Sequence, residues 1–349
     1  MEREEHNSDR NKIPNMLSES TRRVQKLVAQ AYAPYASGEG LVSPTPEIIR
    51  AGIAGGLPFD SLTTDVVVGC LPASHVCYGN CFAAQAAFTN GINFGVRIEN
   101  ILDKAIFQSD LNSLSRQQRY LRNGWNSDPS WSWSCALAIA ELIRDSGRHT
   151  IFVTKCFGLL SHEMMNRLAS LHVEIRISVS AFDTDAQLTH RMKTVEAYRL
   201  KGGVAIPIVV STVFQDPVLK DKQDRIVASI VESDLPGGEN SLRFNPNSPV
   251  TALLNKSASR PIAQSSDWWC GRLYPKSLPI PTVTTLPPEY EGLQSRNLSG
   301  NDPIFLKSLF YDPVPTRDEV LSSHPLTKPT QAGVPNEASK KQGRKEGLN

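Results

Sequence analysis

Short apolar runs alternate with longer amphipathic stretches between residues 60 and 250. The short runs predict strands at residues 65–69, 120–124, 150–154, 173–180, 204–210 and 241–244, and four of the six are rich in Val or Ile. The stretches between them repeat apolar residues at three- and four-residue spacing and predict helices at residues 97–107, 131–146, 161–171, 185–201 and 222–233. This alternation predicts an α/β fold built from parallel β/α units.

The run at residues 173–180 distinguishes two arrangements of those units. Its apolar residues Val173, Ile175, Ile177 and Val179 alternate with the polar residues Glu174, Arg176, Ser178 and Ser180. A central strand with helices on both sides is apolar on both faces, whereas this strand suits helices on one face and a polar interior on the other. We therefore expect a partial, TIM-like (β/α)6 barrel whose lumen is the active site. An edge strand with one wet face is the alternative.

Composition and charge exclude several classes of protein. The 349 residues are 40% hydrophobic and 21% charged, which excludes a wholly disordered chain. The formal net charge of +2 gives no general electrostatic attraction for a polyanion. No run approaches the roughly 20 apolar residues of a membrane helix, and the first dozen residues are rich in charge. We expect a cytoplasmic protein without membrane contact.

Proline predicts where the regular fold ends, because 15 of the 24 prolines lie in residues 236–349. We expect an N-terminal segment at 1–60 with its first dozen residues disordered, a barrel at 61–250, an extended wrapping segment at 251–310, and a disordered, Pro-rich C-terminal extension at 311–349. The basic end of that extension, Lys340, Lys341, Arg344 and Lys345, is a weak indication of nucleic-acid binding; a solvated tail is the alternative.

Three of the six cysteines, Cys70, Cys77 and Cys81, lie within twelve residues, directly after the first predicted strand. In β/α folds, ligands bind at the carboxyl ends of the strands, so this loop belongs at the mouth of the site. Three nearby thiols suit an iron–sulfur cluster, or zinc with His75 or Cys270 as a further ligand. Three unliganded cysteines are the structural alternative.

The loop resembles the radical S-adenosylmethionine (SAM) superfamily, in which three cysteines of a β/α barrel hold a [4Fe–4S] cluster. Cys77 and Cys81 match the first pair of the usual C-x3-C-x2-C spacing, but Ala84 occupies the third position. Cys70 would replace it. The resulting C-x6-C-x3-C spacing, followed by Phe82 and Ala83, is similar to a lesser-known group of phage and mobile-element proteins with radical-SAM-like barrels.

The resemblance implies a chemistry and its partners. The reduced cluster would pass an electron from a donor protein to bound SAM, and SAM cleavage would give a 5′-deoxyadenosyl radical that abstracts hydrogen from a substrate. The sequence does not identify that substrate.

Polar residues after the second predicted strand are candidates for binding SAM. The resemblance implies that Asn126 and Asp128 contact its amino group; alternatively, Asp128 and Pro129 begin a helix. Trp125, Trp131 and Trp133 lie close by, and would either form an aromatic surface for a ligand or pack in the core.

Further candidates end the later strands. Lys155 could meet a carboxylate or phosphate, or lie on the surface. An arginine inside a barrel needs an anionic partner, and Arg176 is such a residue. The resemblance implies that the partner is the SAM carboxylate; Glu174 is the alternative. Ser180 and Arg243 complete the candidate cofactor-binding set.

Two other functions remain open. A zinc-binding phage or mobile-element protein would use the same cysteines in a binding or nucleic-acid-related role. A metal-free barrel enzyme would use Lys155 and Asp183 as its acid–base pair, although Asp183 or Thr184 could instead be a helix N-cap.

Overall fold

The structure is a computed structural model that describes residues 19–53, 62–79, 81–114, 120–233, 235, 237–243, 249–255, 260–262 and 272–274. Its strands are β1 (Ala51–Ile53), β2 (Leu62–Thr63), β3 (Val67–Val68), β4 (Ile98–Glu99), β5 (Tyr120–Asn123), β6 (His149–Thr154), β7 (Glu174–Val179), β8 (Val204–Ser211), β9 (Gly238–Arg243), β10 (Arg260–Ile262) and β11 (Arg272–Tyr274). Its α-helices are α1 (Glu19–Tyr32), α2 (Phe82–Thr89), α3 (Lys104–Ser113), α4 (Trp133–Asp145), α5 (His162–Ser170), α6 (Asp185–Leu200) and α7 (Pro217–Glu232).

Six parallel strands form the centre of the main sheet, in the order β2-β5-β6-β7-β8-β9. This confirms the α/β class and the parallel β/α units. The strand order follows the chain order without the reversal that defines a doubly wound sheet. Antiparallel strands continue the sheet at both ends, β1 beside β2 and β11 with β10 beside β9, so the described strands form an open sheet.

The two faces of β7 differ as its alternating sequence predicts. Ile175 and Ile177 are fully buried in a core with residues from α4, α5 and α6, including Ile139, Leu168 and Val195. Glu174 and Arg176 lie on the opposite face. Because β7 pairs with β6 on one side and β8 on the other, the edge-strand alternative is wrong.

Two predicted elements differ from the structure. The run at 65–69 does not supply the first parallel strand: Val67–Val68 pairs with Ile98–Glu99 in a separate antiparallel sheet, and the short β2 just upstream pairs with β5 instead. The helix predicted at 97–107 is also wrong at its start, since residues 98–99 are extended. α3 begins at Lys104, where the Asp103 side chain accepts the amide hydrogens of Ala105 and Ile106.

The segments on either side of the predicted barrel also join the fold. In the N-terminal segment, α1 packs its Val24, Val28 and Tyr32 against the cysteine loop, and the Tyr32 and Tyr78 rings lie 5.5 Å apart. Within the predicted wrapping segment, β11 pairs with β9. The first dozen residues, residues 311–349 and the basic residues near the end lie outside the described residues. No helix of the described chain is long and apolar enough to cross a membrane.

Candidate functional site

A cavity of about 190 Å³ lies at the carboxyl ends of the central parallel strands. It is lined by the cysteine loop, by the loop after β5, and by the ends of β6, β7 and β8. The predicted site residues that it brings together are Cys70, Cys77, Cys81, Asn126, Asp128 and Lys155. The expected position of the cysteine loop at the strand ends is therefore confirmed, although the strand directly before it belongs to the small sheet.

Cys70 is fixed by its backbone and by its sulfur. Its amide N–H donates to the Phe94 carbonyl at 2.7 Å, and its Sγ accepts the indole N–H of Trp131 at 3.2 Å. The preceding Gly69 has a φ of +80°, and a Cβ there would lie 1.9 Å from the Val96 carbonyl oxygen. Gly69 therefore fits the close backbone approach just before Cys70, and Cys70 lines the cavity.

Cys77 and Cys81 occupy the turn that closes the loop. Cys77 lies in a 3₁₀ helix, Val76–Gly79, and Cys81 is the N-cap of α2, where its Sγ accepts the Ala84 N–H at 3.4 Å. A helix N-terminus favours negative charge on a capping sulfur. Ala84 is fully buried and does not line the cavity, whereas Cys70 does.

Burial raises the pKa of all three thiols, that of Cys81 to about 12. The positive charges of Lys155 and Arg191 oppose this effect at Cys77. All three cysteines are free of disulfides. They are therefore protonated thiols at neutral pH, and any metal that binds them must displace their protons.

The described part of the chain contains no group of three or more His, Cys, Asp or Glu side chains placed to hold one metal ion. His75, the possible zinc ligand, accepts the Cys77 N–H on its Nδ1 at 3.1 Å. Burial and the neighbouring Lys155 and Arg191 charges lower the pKa of His75 to about 4, so its ring is neutral. Cys270, the other possible ligand, lies outside the described residues.

Asp65 holds the loop after β5 against the cysteine loop. Its Oδ1 accepts the amide hydrogens of Gly124 and Trp125, both at 2.9 Å, and its Oδ2 accepts those of Asn126 and Ser127 at 2.7 and 2.8 Å. Burial raises the pKa of Asp65 against the opposing effect of these four bonds. The Ser127 hydroxyl also donates to the Gly69 carbonyl at 2.6 Å, which ties the two loops together directly.

Asp128 lines the cavity, and it also has the structural role that the sequence left open. It is the N-cap of the 3₁₀ helix Pro129–Ser132, and its carboxylate accepts the Ser130 N–H, the Thr154 hydroxyl and the Lys155 N–H at 2.6–2.9 Å. Asn126 is exposed at the cavity and uses only its backbone N–H in binding Asp65. The Asn126 side-chain amide is therefore more available to a ligand than the Asp128 carboxylate.

Lys155 lines the cavity beside a buried ionic network. Its Nζ lies 3.3 Å from Asp183 Oδ1, and Arg191 pairs with the other Asp183 oxygen. Burial alone would raise the pKa of Asp183, but Arg191 and Lys155 outweigh it and lower that pKa to about 2. The N-cap of α6 is Thr184, in a capping box with Gln187, so Asp183 is an ion-pair partner rather than a cap.

Arg176 and Ser180 do not line the cavity. Arg176 Nε pairs with Glu174 Oε1 at 2.5 Å. Of the two partners considered for Arg176, the SAM carboxylate and Glu174, the structure shows Glu174. Ser180 is 2% exposed and donates its backbone N–H to Asp183. Arg243 ends β9 beside Arg272 of β11, and its side chain lies outside the described part.

The three neighbouring tryptophans have different environments. Trp125 lines the cavity, and Trp133 is buried in the core, with its indole N–H donated to the Gly158 carbonyl at 3.1 Å. Trp131 is stacked on Phe157, with ring centroids 5.3 Å apart, and the Arg97 guanidinium lies 3.8 Å from the centre of its ring. Trp125 thus fits the predicted aromatic surface for a ligand, whereas Trp133 fits the core alternative.

Sequence reasoning missed Asp65 and Arg122. Asp65 precedes three valines and looks like the polar start of a strand, and nothing local indicates four amide partners some 60 residues away. Arg122 is the charged residue within β5, and it lines the cavity. The sequence feature that could have identified Arg122 is a single arginine inside a predicted strand.

No protein-family model matches the sequence, and no curated protein is similar to it at a significant level. The function must therefore be argued from the geometry of the cavity and from the cysteine spacing.

Replacing Asp65 with Asn should loosen the site and destabilise the fold. Asn retains one acceptor oxygen and turns an amide group toward the other pair of N–H donors, so two buried hydrogen bonds are lost. We expect a loss of about 2–5 kcal/mol in the free energy of unfolding, measured by urea denaturation, and faster hydrogen exchange at residues 124–127.

Asp103→Asn is the matched control, because that carboxylate also accepts two backbone N–H groups but lies at an exposed helix N-cap, where Asn serves as well as Asp. Equal urea midpoints for D65N and the wild type would contradict the role assigned to Asp65.

Proposed function

We propose that this chain is an iron–sulfur protein of the radical SAM type, in which Cys70, Cys77 and Cys81 bind a [4Fe–4S] cluster. The observation that carries the proposal is that three free thiols line one cavity at the carboxyl ends of a parallel β/α sheet. That is where β/α folds bind ligands.

The three thiols lie close to one another. Cys77 and Cys81 each influence the pKa of the Cys70 thiol, and Cys77 influences that of Cys81. Cysteine thiolates are the usual ligands of iron–sulfur clusters, so three neighbouring thiols support the proposal.

Cys70 suits the role of third ligand in place of the residue at the usual position. Ala84 is packed in the core under α1, whereas Cys70 faces the cavity. The spacing C-x6-C-x3-C therefore supplies three thiols to one space even though C-x3-C-x2-C is broken.

The sheet supports the proposed partial (β/α)6 barrel. Its six parallel strands follow the chain order, and α4, α5 and α6 contribute to the core on one face. The other face bears Glu174, Arg176 and the cavity. An open sheet wound in one direction in this way is what a partial barrel requires.

The chain also offers groups that would hold SAM. Asn126 has an uncommitted amide at the cavity, and Lys155 brings a positive charge that a carboxylate could share with Asp183. Asp128 would act mainly by positioning the loop. Arg176 is committed to Glu174, so we leave it out of the SAM site.

With the cluster and SAM bound, the chemistry supplied is reductive cleavage of SAM and hydrogen abstraction from a substrate. The protein would orient both molecules, exclude water from the cavity and receive the electron from a donor protein. The proposal places the chain in the cytoplasm, since free thiols persist in a reducing compartment.

Anaerobic purification followed by iron, sulfide and zinc analysis tests the proposal. We expect a brown protein with about four irons per chain. Cys77→Ala should lose most of that iron and its colour. Cys135→Ala is the control, because Cys135 is buried in the core of α4 outside the cavity, and it should retain both.

A colourless protein that contains zinc would contradict the proposal and favour the zinc alternative. Equal iron in the C77A and C135A variants would contradict the assignment of the ligands.

The hydrogen bond from Trp131 to Cys70 gives a second expectation. An N–H donated to a ligand sulfur stabilises the more negative, reduced state, so Trp131→Phe should lower the midpoint reduction potential by tens of millivolts. Phe retains a ring to stack on Phe157. The measurement is a redox titration of the reconstituted protein.

Trp133→Phe is the control, because its indole N–H donates to the carbonyl of Gly158 instead of to a thiol. An unchanged or raised potential in W131F would contradict a direct hydrogen bond to a cluster ligand.

A further inference from the structure

The face of the sheet opposite α4, α5 and α6 carries an unusual group of charges. The Cα register aligns Arg122 of β5 with Ile151 of β6, and Ile151 with Glu174 of β7. Residues paired in this way in a parallel sheet point to the same side. Arg176 lies two residues farther along β7 and therefore shares this face. Two guanidinium groups and one carboxylate thus lie together.

One oxygen of the carboxylate is paired. Glu174 Oε1 binds Arg176 Nε at 2.5 Å, and both side chains are less than 10% exposed. Asp65, the other acid that influences Arg122, accepts four backbone N–H groups. Among the described residues, the buried atoms Arg122 Nε, Arg176 Nη2 and Glu174 Oε2 have no hydrogen-bond partner. Within the described part of the chain, this group therefore has two positive charges and one negative charge.

Arg122 is the member of the group that a ligand can reach, because it lines the cavity together with the three cysteines. Burial and the neighbouring Arg176 lower the pKa of Arg122 to about 10, which leaves it charged at neutral pH. An enclosed guanidinium without a full partner is costly unless an anion binds it. The Arg122 guanidinium carbon lies 5.7 Å from the centre of the Trp125 ring, which offers only a weak cation–π contact.

We propose that Arg122, supported by Arg176, binds an oxyanion in the cavity, and that this anion is the carboxylate or phosphate group of the substrate. A planar guanidinium binds either group through two parallel hydrogen bonds. Oxyanion binding itself does not require a cluster, whereas its assignment to a substrate rests on the function proposed above.

The position of Arg122 separates this anion from the reacting end of the site. The Cα of Arg122 is level with that of Ile151, which lies two residues, or about 7 Å, before Val153 of the cavity lining. Lys155 and the cysteines line the mouth. A substrate held by its acidic group at Arg122 would extend its other end toward the cysteines.

The test is a titration of the full-length protein with inorganic phosphate and, separately, with acetate, against chloride at equal ionic strength. Phosphate binding is followed by the ³¹P NMR signal and acetate binding by calorimetry. We expect at least one of the two to bind, and the preferred one indicates whether the substrate group is a phosphate or a carboxylate. Binding of neither anion above the chloride background would overturn the proposal.

Charge variants give opposite expectations. Arg122→Met should weaken binding at least about tenfold, because a charge-assisted pair is lost. Glu174→Gln should tighten it, because a competing negative charge is removed while the side-chain shape is kept. Arg167→Met, at a site on α5 that is 58% exposed, is the control and should bind as the wild type does.

Wild-type affinity in R122M would overturn the proposal. If R122M does not fold, E174Q decides: unchanged or weaker binding in that variant overturns it.

Two further measurements separate this inference from the proposed function. Iron is assayed in the same samples, so anion binding by an iron-free, colourless protein would contradict the cluster while leaving the anion site intact. SAM is then added to anion-saturated, reconstituted protein. Retention of the anion supports a substrate site, and its displacement by SAM would overturn that assignment.

Discussion

The cavity depends on the carboxylate of Asp65. Four backbone N–H groups, from Gly124 to Ser127, point at its two oxygens, and they fix the loop after β5 beside the segment that leads into the cysteine loop. Ser127 completes the connection through the Gly69 carbonyl. Together these contacts fix Cys70 relative to the polar residues at 126 and 128. A structural carboxylate thus organises the site although it does not line the cavity.

A second constraint is the division of the sheet into two faces. The face toward α4, α5 and α6 carries Ile175 and Ile177, which pack with residues such as Val195 of α6 in the main core. The other face carries the buried side chains of Glu174 and Arg176, and an unpaired charge is costly there. Pairing between Glu174 and Arg176 offsets part of that cost. Arg122 is the member of this group that lines the cavity together with the thiols.

The sequence predicted the parts of this account that depend on local pattern. Alternation at residues 173–180 indicated a two-faced strand, and the spacing of Cys70, Cys77 and Cys81 indicated that their thiols share one site. The pairing of Glu174 with Arg176 was also accessible, since residues two apart on a strand share a face. The roles of Asp65 and Arg122 were not, because they depend on the pairing of strands distant in sequence. The predicted helix at 97–107 failed for the same reason: Ile98–Glu99 pairs with Val67–Val68.

The central claim is that the three thiols hold a cluster with one iron left open for SAM. The most direct measurement is electron paramagnetic resonance of the dithionite-reduced protein before and after SAM is added. The account predicts a [4Fe–4S]⁺ signal whose g values shift when SAM binds. A protein without such a signal, or a cluster signal that SAM leaves unchanged, would contradict it.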